Sequence, residues 1–191
     1  MRVKIKRKEI EESDDILAEI RFEFFHPYKI AAMGEPWAMK VDRTLQLLKE
    51  NGIGAILTLT EDDPYGERYE AAGFIHHHEP IEDCEPPTIG AMNRIIKFIN
   101  SCLAGNHAVA MHCLEGRGRT GTVLAAWVGL KESIDAPQAI ERVYKARFHT
   151  VITPSQRTFL VAYLNRKNKL LKGKGKITPK TGAKHSRRNK R

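Results

Sequence analysis

The chain has 191 residues, 41% of them hydrophobic, which suits one domain with appendages rather than several domains. Its three cysteines, Cys84, Cys102 and Cys113, stand at irregular spacing, which excludes a disulfide framework and a Cys-x-x-Cys pair and fits a reducing compartment. The net charge of +9 belongs to one end, because residues 166–191 hold twelve Lys/Arg and no Asp/Glu and leave the first 165 residues at −3. Met1 to Asp15 is charged throughout and lacks the apolar stretch of a signal peptide, and no apolar run reaches the length of a membrane span. The expectation is a soluble, monomeric, cytoplasmic protein, or a nuclear one in a cell with a nucleus.

In chain order, residues 1–22 read as an N-terminal extension that packs loosely or caps a sheet. Val3 and Ile5 among lysines suit a short edge strand, and Ser13-Asp14-Asp15 suits a helix start before Ile16, Leu17 and Ile20. No chemistry is assigned to this extension. Phe22 to Ala32 brings the first core strand, centred on Lys29 to Ala32. Pro36 opens a helical pattern through Trp37, Val41, Leu45 and Leu48 that ends at Asn51-Gly52. Ile53 to Leu59 is a strand, Glu61 to Pro64 a loop, and a short helix then ends near Gly73. Phe74 to His78 is another strand, leading into the stiff acidic loop Ile81 to Pro87. Thr88 caps a helix whose apolar face is Met92, Ile95, Ile96 and Ile99. His107 to Met111 reads as a buried strand and Thr122 to Leu130 as a buried helix. Asp135-x-x-Gln138 starts a helix through Phe148, and Thr153-Pro154-Ser155-Gln156 starts a last one that frays into the basic tail. Strands alternating with helices predict an α/β fold with a central, largely parallel sheet flanked by helices.

One corner carries chemistry. His112-Cys113-Leu114-Glu115-Gly116-Arg117-Gly118-Arg119-Thr120-Gly121 joins the buried strand to the buried helix. Its glycines allow a sharp turn, and successive N–H groups aimed inward at a helix N-terminus make an anion site. Arg119 can fork two hydrogen bonds onto a tetrahedral oxyanion. A cysteine in such a positive field is favoured in its nucleophilic thiolate form. A thiolate, a ring of amides at residues 114–119 (Leu114, Glu115, Gly116, Arg117, Gly118, Arg119) and an arginine around one hole are the parts for covalent phosphoryl transfer.

Cys113-x5-Arg119, with His112 before and Thr120-Gly121 after, resembles the signature loop of cysteine-based protein tyrosine phosphatases. Over residues 23–165 the chain is most similar to the small atypical dual-specificity type. Besides the loop, the resemblance rests on Lys29 to Met33 with the Pro36 helix and Leu57 to Glu61, on Pro80-Ile81-Glu82-Asp83 with Pro86-Pro87, and on Gln156. It implies a catalytic domain over 23–165 and a reaction through phosphocysteine with no metal and no other cofactor. In that mechanism Cys113 is the nucleophile and Arg119 binds the equatorial oxygens. Asp83 is the general acid ahead of its neighbours Glu82 and Glu85. His112 orients the cysteine or is a satisfied core histidine. Thr120 donates to the departing sulfur, caps the helix, or does both. Gln156 positions water or completes a Thr-x-x-Gln capping box. Glu115 offsets the charge of Arg117 and speaks against an inositol phospholipid headgroup. His76-His77-His78 has no partner pair at zinc spacing and reads as strand. Cys84 is a small loop residue or a disulfide partner for Cys113 under oxidation.

The expected activity is a phosphomonoester hydrolase of the protein tyrosine or dual-specificity type acting on a phosphoprotein. The alternatives are an RNA 5′-phosphatase, a phosphoinositide phosphatase and a non-catalytic phosphate-binding module. Asp83 favours monoesters over phosphoanhydrides, since family members acting on phosphoanhydrides lack that acid. The tail at 166–191 is either a solvated terminus or an electrostatic tether to RNA or an anionic membrane.

Overall fold

The computed structural model describes residues 15–174. The edge strand expected at Val3 and Ile5, and the tail beyond residue 174, lie outside the described residues. The described chain is built from β1 (Glu23–Phe24), β2 (Ile30–Met33), α1 (Val41–Glu50), β3 (Ile53–Thr58), α2 (Gly66–Ala71), β4 (Ile75–His78), α3 (Ile89–Ala104), β5 (Ala108–His112), α4 (Gly118–Glu132), α5 (Ala136–Ala146) and α6 (Pro154–Lys174). The five strands form one sheet in the order β1-β2-β5-β3-β4. Only the β1–β2 pair is antiparallel, and β2–β5, β5–β3 and β3–β4 are parallel. The expected α/β architecture is therefore the one observed.

β5 occupies the middle. Every residue of Ala-Val-Ala-Met-His is buried, as a strand covered on both faces requires. Alternate residues feed two cores, following the two-residue period of a strand. Ile30, Ala32, Leu57, Val109 and Met111 join Met92, Ile95, Val123 and Leu160 on one face. Ala31, Met33, Ile56 and Ala110 join Ile20, Val41, Leu45 and Leu48 on the other. The chain leaves β2 toward the second face through α1, and leaves β5 toward the first through α4. Neighbouring parallel strands whose exits diverge open a crevice at their carboxyl ends. The signature loop, residues 113–117, lies there between β5 and α4.

Several local expectations change. The first strand is two short ones, with Pro27 in the turn between, where a residue without an N–H cannot extend a ladder. Pro36 does not open the helix. A 3-10 turn at Ala38–Lys40 precedes α1, so Trp37 falls off the apolar stripe and is 61% exposed, while Val41, Leu45 and Leu48 remain buried. The segment before β1 does not pack loosely. Ile16 and Ile20 are buried, and the Ile20 carbonyl accepts a hydrogen bond from the Gly34 amide at 2.6 Å. α5 ends at Ala146 rather than Phe148, and the chain turns at the extended Arg147 so that its guanidinium points inward. α6 runs unbroken through position 165 to Lys174, so the start of the basic segment is helical.

α6 packs against α4 and α5, and its Tyr163 hydroxyl donates to Asn93 Oδ1 of α3 at 3.0 Å. Leu164 packs in the first core, close against Gly129, where an added Cβ would collide with it. Leu164→Ala should therefore lower unfolding free energy by about 2–5 kcal/mol in urea titrations. A cost below about 1 kcal/mol would make α6 peripheral to the domain.

Candidate active site

Cys113 is the residue after β5 and is 3% exposed, at the floor of a cavity of about 290 Å³. Gly118, Arg119, Asp83 and Thr153 line the cavity, and the side chains of Leu114 and Val151 stand exposed at its rim. The loop above the cysteine turns at Gly116, whose φ is +70°. A Cβ there would strike the Met33 carbonyl, so close packing on the end of β2 and the left-handed backbone both demand glycine.

The loop carbonyls face outward. Leu114 O accepts from the Glu35 amide at 3.0 Å, Glu115 O from Arg21 Nη1 at 3.2 Å, and Gly116 O from Arg147 Nη1 at 2.9 Å. Arg117 O accepts from the Gly121 amide at 3.1 Å and Gly118 O from the Thr122 hydroxyl at 2.9 Å. A trans peptide points its N–H opposite to its C=O. The amides of residues 115–119 are thus turned the other way, toward the cavity, and those of Glu115, Gly116 and Arg117 donate to no other group among the described residues. Amides aimed this way at a helix N-terminus suit an oxyanion.

Arg119 is 5% exposed. Its Nη1 donates to the Ile81 carbonyl at 3.0 Å, and its Nη2 meets Asp83 Oδ1 at 2.8 Å. The acid-loop carboxylate thus sits on the arginine expected to hold phosphate oxygens. Asp83 is 67% exposed, so solvent screens this pair and it is not a strong lock. The Asp83 amide also donates to Glu61 Oε1 at 3.3 Å. Cys84 is exposed, with a left-handed backbone and its thiol on Asp83 Oδ2 at 3.7 Å. The neighbouring Asp83 charge pushes that thiol's pKa up, which disfavours its reactive form.

His112 is fully buried, and burial pushes its imidazole down to about 3, so it is neutral. Its Nε2 lies 3.0 Å from the Thr58 hydroxyl and 3.3 Å from the Tyr69 hydroxyl. The same Thr58 oxygen lies 3.0 Å from His76 Nε2, and that nitrogen lies 3.6 Å from Asp63 Oδ2. A hydroxyl has one proton, so Thr58 can donate to at most one of the two rings, and at least one ring must donate to it. His76 and His78 are therefore strand residues with local partners, His78 pairing with the Thr60 carbonyl at 2.8 Å. Thr120 is fully buried, and its hydroxyl has no hydrogen-bond partner among the described residues.

Gln156 is brought beside the loop but is occupied. Its Oε1 accepts from the Thr153 amide at 3.0 Å, completing the capping box, and its Nε2 donates to the Glu85 carbonyl at 3.2 Å. Glu115 and Arg117 both line the cavity, but their side chains pair with each other at 3.4 Å and Arg117 Nε also donates to the His149 carbonyl. Two residues escaped the sequence reading. Glu35, half-buried after β2, has its carboxyl pushed up by burial and then by Asp63. Arg147 lies wholly buried behind the loop. Neither stands in a recognisable motif, although an arginine placed just past a helix end and before an apolar residue is a weak cue.

A family model described as polymorphic toxin system, DSP-PTPase phosphatase matches residues 31–131, more than half of the chain, from β2 through the signature loop to α4. The chain belongs to the DSP-PTPase phosphatase family. Human dual specificity protein phosphatase CDC14C is 32% identical over 117 residues, which is 61% of this chain and 25% of CDC14C. An uncharacterized protein of Methanocaldococcus jannaschii is 37% identical over 89 residues, 46% of this chain and 58% of that one. The chain thus spans a quarter to somewhat over half the length of these relatives. The crystal structure of Tk-PTP in the active form superposes with a TM-score of 0.68 at 26% identity, covering 76% of this chain and 97% of that one. The family and the fold are those of cysteine-based phosphatases. Among the described residues no helix is long and apolar enough to cross a membrane.

The neutral, buried His112 has a stability consequence. Below about pH 6.5 the unfolded chain takes up a proton at this imidazole and the folded chain does not. Stability should therefore fall as pH drops from 6.5 toward 3, by at most about 1.4 kcal/mol per unit from this group. His76, also pushed down by burial, adds in the same direction. Urea titrations between about pH 6.5 and 5, above the range where the Arg94-paired Glu79 takes up protons, should show the slope, and His112→Asn should flatten it. An unchanged slope in that variant would reject the assignment.

Proposed function

We propose that this protein is a phosphomonoester hydrolase of the dual-specificity type that acts on phosphoproteins through a phosphocysteine intermediate. The observation that carries the reading is the placement of Cys113 on the cavity floor, under amides turned inward and next to the Arg119–Asp83 pair. In the first step the Cys113 thiolate attacks phosphorus in line, the equatorial oxygens settle on the loop amides and Arg119, and the alcohol or phenol departs with a proton from Asp83. Incoming phosphate takes the place of the Asp83 carboxylate on Arg119. That exchange frees Asp83 to stand over the leaving oxygen. In the second step water attacks the phosphocysteine, Asp83 takes the proton that water gives up, and the Cys113 sulfur leaves as thiolate; the Thr120 hydroxyl, which has no hydrogen-bond partner among the described residues, is the donor proposed for it. Gln156 can assist that water only by giving up its bonds to Thr153 or Glu85. The exposed Leu114 and Val151 beside the cavity offer apolar surface suited to the chain flanking a phosphorylated residue.

Hydrolysis of a chromogenic aryl phosphate in EDTA tests the activity, and a phosphopeptide panel tests the substrate class. Cys113→Ser should abolish turnover while still binding phosphate, and residual turnover in that variant would overturn the covalent route. Asp83→Ala should slow an alkyl or unactivated aryl ester by about 10²–10⁴ and a nitrophenyl ester by less. Because it also removes the carboxylate from Arg119, it should tighten inhibition by inorganic phosphate. Equal losses on both esters, or weaker phosphate binding, would take Asp83 out of this role.

A further inference from the structure

Arg147 is among the largest fully buried side chains of the protein and makes none of the contacts the proposed mechanism uses. Its guanidinium has three partners: Nη1 on the Gly116 carbonyl at 2.9 Å, Nε on Glu23 Oε2 at 3.0 Å, and Nη2 on the Arg21 carbonyl at 3.0 Å. Arg21 in turn places Nη1 on the Glu115 carbonyl at 3.2 Å, and its own backbone is left-handed, φ +52°. The two arginines therefore hold the consecutive carbonyls at 115 and 116 from behind, and both depend on the segment that precedes and includes β1.

Each of those carbonyls belongs to a peptide whose N–H comes from the next residue, Gly116 or Arg117. Flipping either peptide turns a donor out of the cavity and an acceptor into it. For an incoming dianion that replaces an attraction with a repulsion. Glycine at 116, with no Cβ, leaves the backbone itself free to make that flip, and no side chain within the loop opposes it. Burial pushes the Arg147 guanidinium down from its ordinary value, and the Glu23 carboxylate offsets part of that cost. A neutral replacement of Glu23 would leave the cation uncompensated at the same carbonyl.

Resting on the phosphatase reading, we propose that Arg147 and Arg21, with Glu23 balancing the buried charge, are positioning residues that set the phosphate-binding orientation of the signature loop. The segment before the first strand is then a working part of the phosphate site. It acts through peptide dipoles, without touching substrate.

The test uses the full chain and its Arg21→Met, Arg147→Lys, Arg147→Met and Glu23→Gln variants. It reads inhibition by inorganic phosphate, kcat and KM on an aryl phosphate, and thermal unfolding. Arg21→Met removes a partly exposed side chain, so its melting temperature should stay near that of the parent while phosphate inhibition weakens about tenfold, the loss of one charge-assisted hydrogen bond. Arg147→Lys keeps a cation but loses the fork, and should fold with weakened phosphate inhibition and a lower kcat. Arg147→Met should lose more of both, and Glu23→Gln should fall between. Parent-like phosphate inhibition and kcat in folded Arg21→Met and Arg147→Lys would overturn the proposal. So would an Arg147→Met protein that melts earlier yet binds phosphate like the parent while folded. If the parent chain shows no turnover, the phosphatase reading fails, while the rise in melting temperature that added inorganic phosphate gives the parent and each variant still decides the role of the two arginines.

Discussion

The site depends on holding several dipoles in an arrangement they would not adopt alone. Amides from residues 115–119 and the Arg119 guanidinium converge on one small volume, positive end to positive end. Such a convergence is unfavourable until an anion arrives, so the surrounding structure must impose it. It does so from the far side of each peptide. Every carbonyl from Leu114 to Gly118 has a donor outside the cavity, drawn from the loop after β2, the segment before β1, the turn after α5, and α4 itself. The sheet supplies the common frame, because β5 lies between β2 and β3 and is anchored in both cores.

The second feature is competition for Arg119. Asp83 sits on the guanidinium at 2.8 Å, so in the proposed mechanism acid and phosphate share a partner. Buried charges are costly unless paired, and Arg119 is 5% exposed, so the carboxylate satisfies a cation that would otherwise be stranded. The pair is weakened by solvent where Asp83 is exposed. The acid loop is also tethered at its far side, where Gln156 and Thr153 hold the carbonyls of Glu85 and Cys84. The residue read from sequence as a water-positioning candidate is thus seen in contact with the loop that carries the acid.

The relatives bear on how far this reaches. The match to CDC14C covers a quarter of that protein, and the structural match to Tk-PTP covers nearly all of that chain. What is shared is the phosphatase core.

Read without coordinates, the chain already shows its architecture and the loop at its centre. Strand and helix periodicity, the capping residues at Thr88, Asp135 and Thr153, and the unbroken apolar run of β5 are local signals, and local signals survive in a linear sequence. Cys113, Arg119 and the glycines between them are legible for the same reason: the anion site is built from one contiguous stretch whose spacing is its geometry. Pro36 and Trp37 fit a helix locally, whereas the folded chain makes a 3-10 turn at Ala38–Lys40 and starts α1 at Val41, whose buried face is Val41, Leu45 and Leu48. No chemistry is legible in the segment before β1 because its partners lie far away, Gly34 for Ile20 and Glu115 for Arg21. Arg147 was invisible for the same reason. Nothing around it in sequence marks it, and its three hydrogen bonds reach residues 21, 23 and 116 only once the sheet has formed. Contiguous chemistry is written in residue order, whereas the forces that aim it come from long-range contacts that exist only in the folded chain.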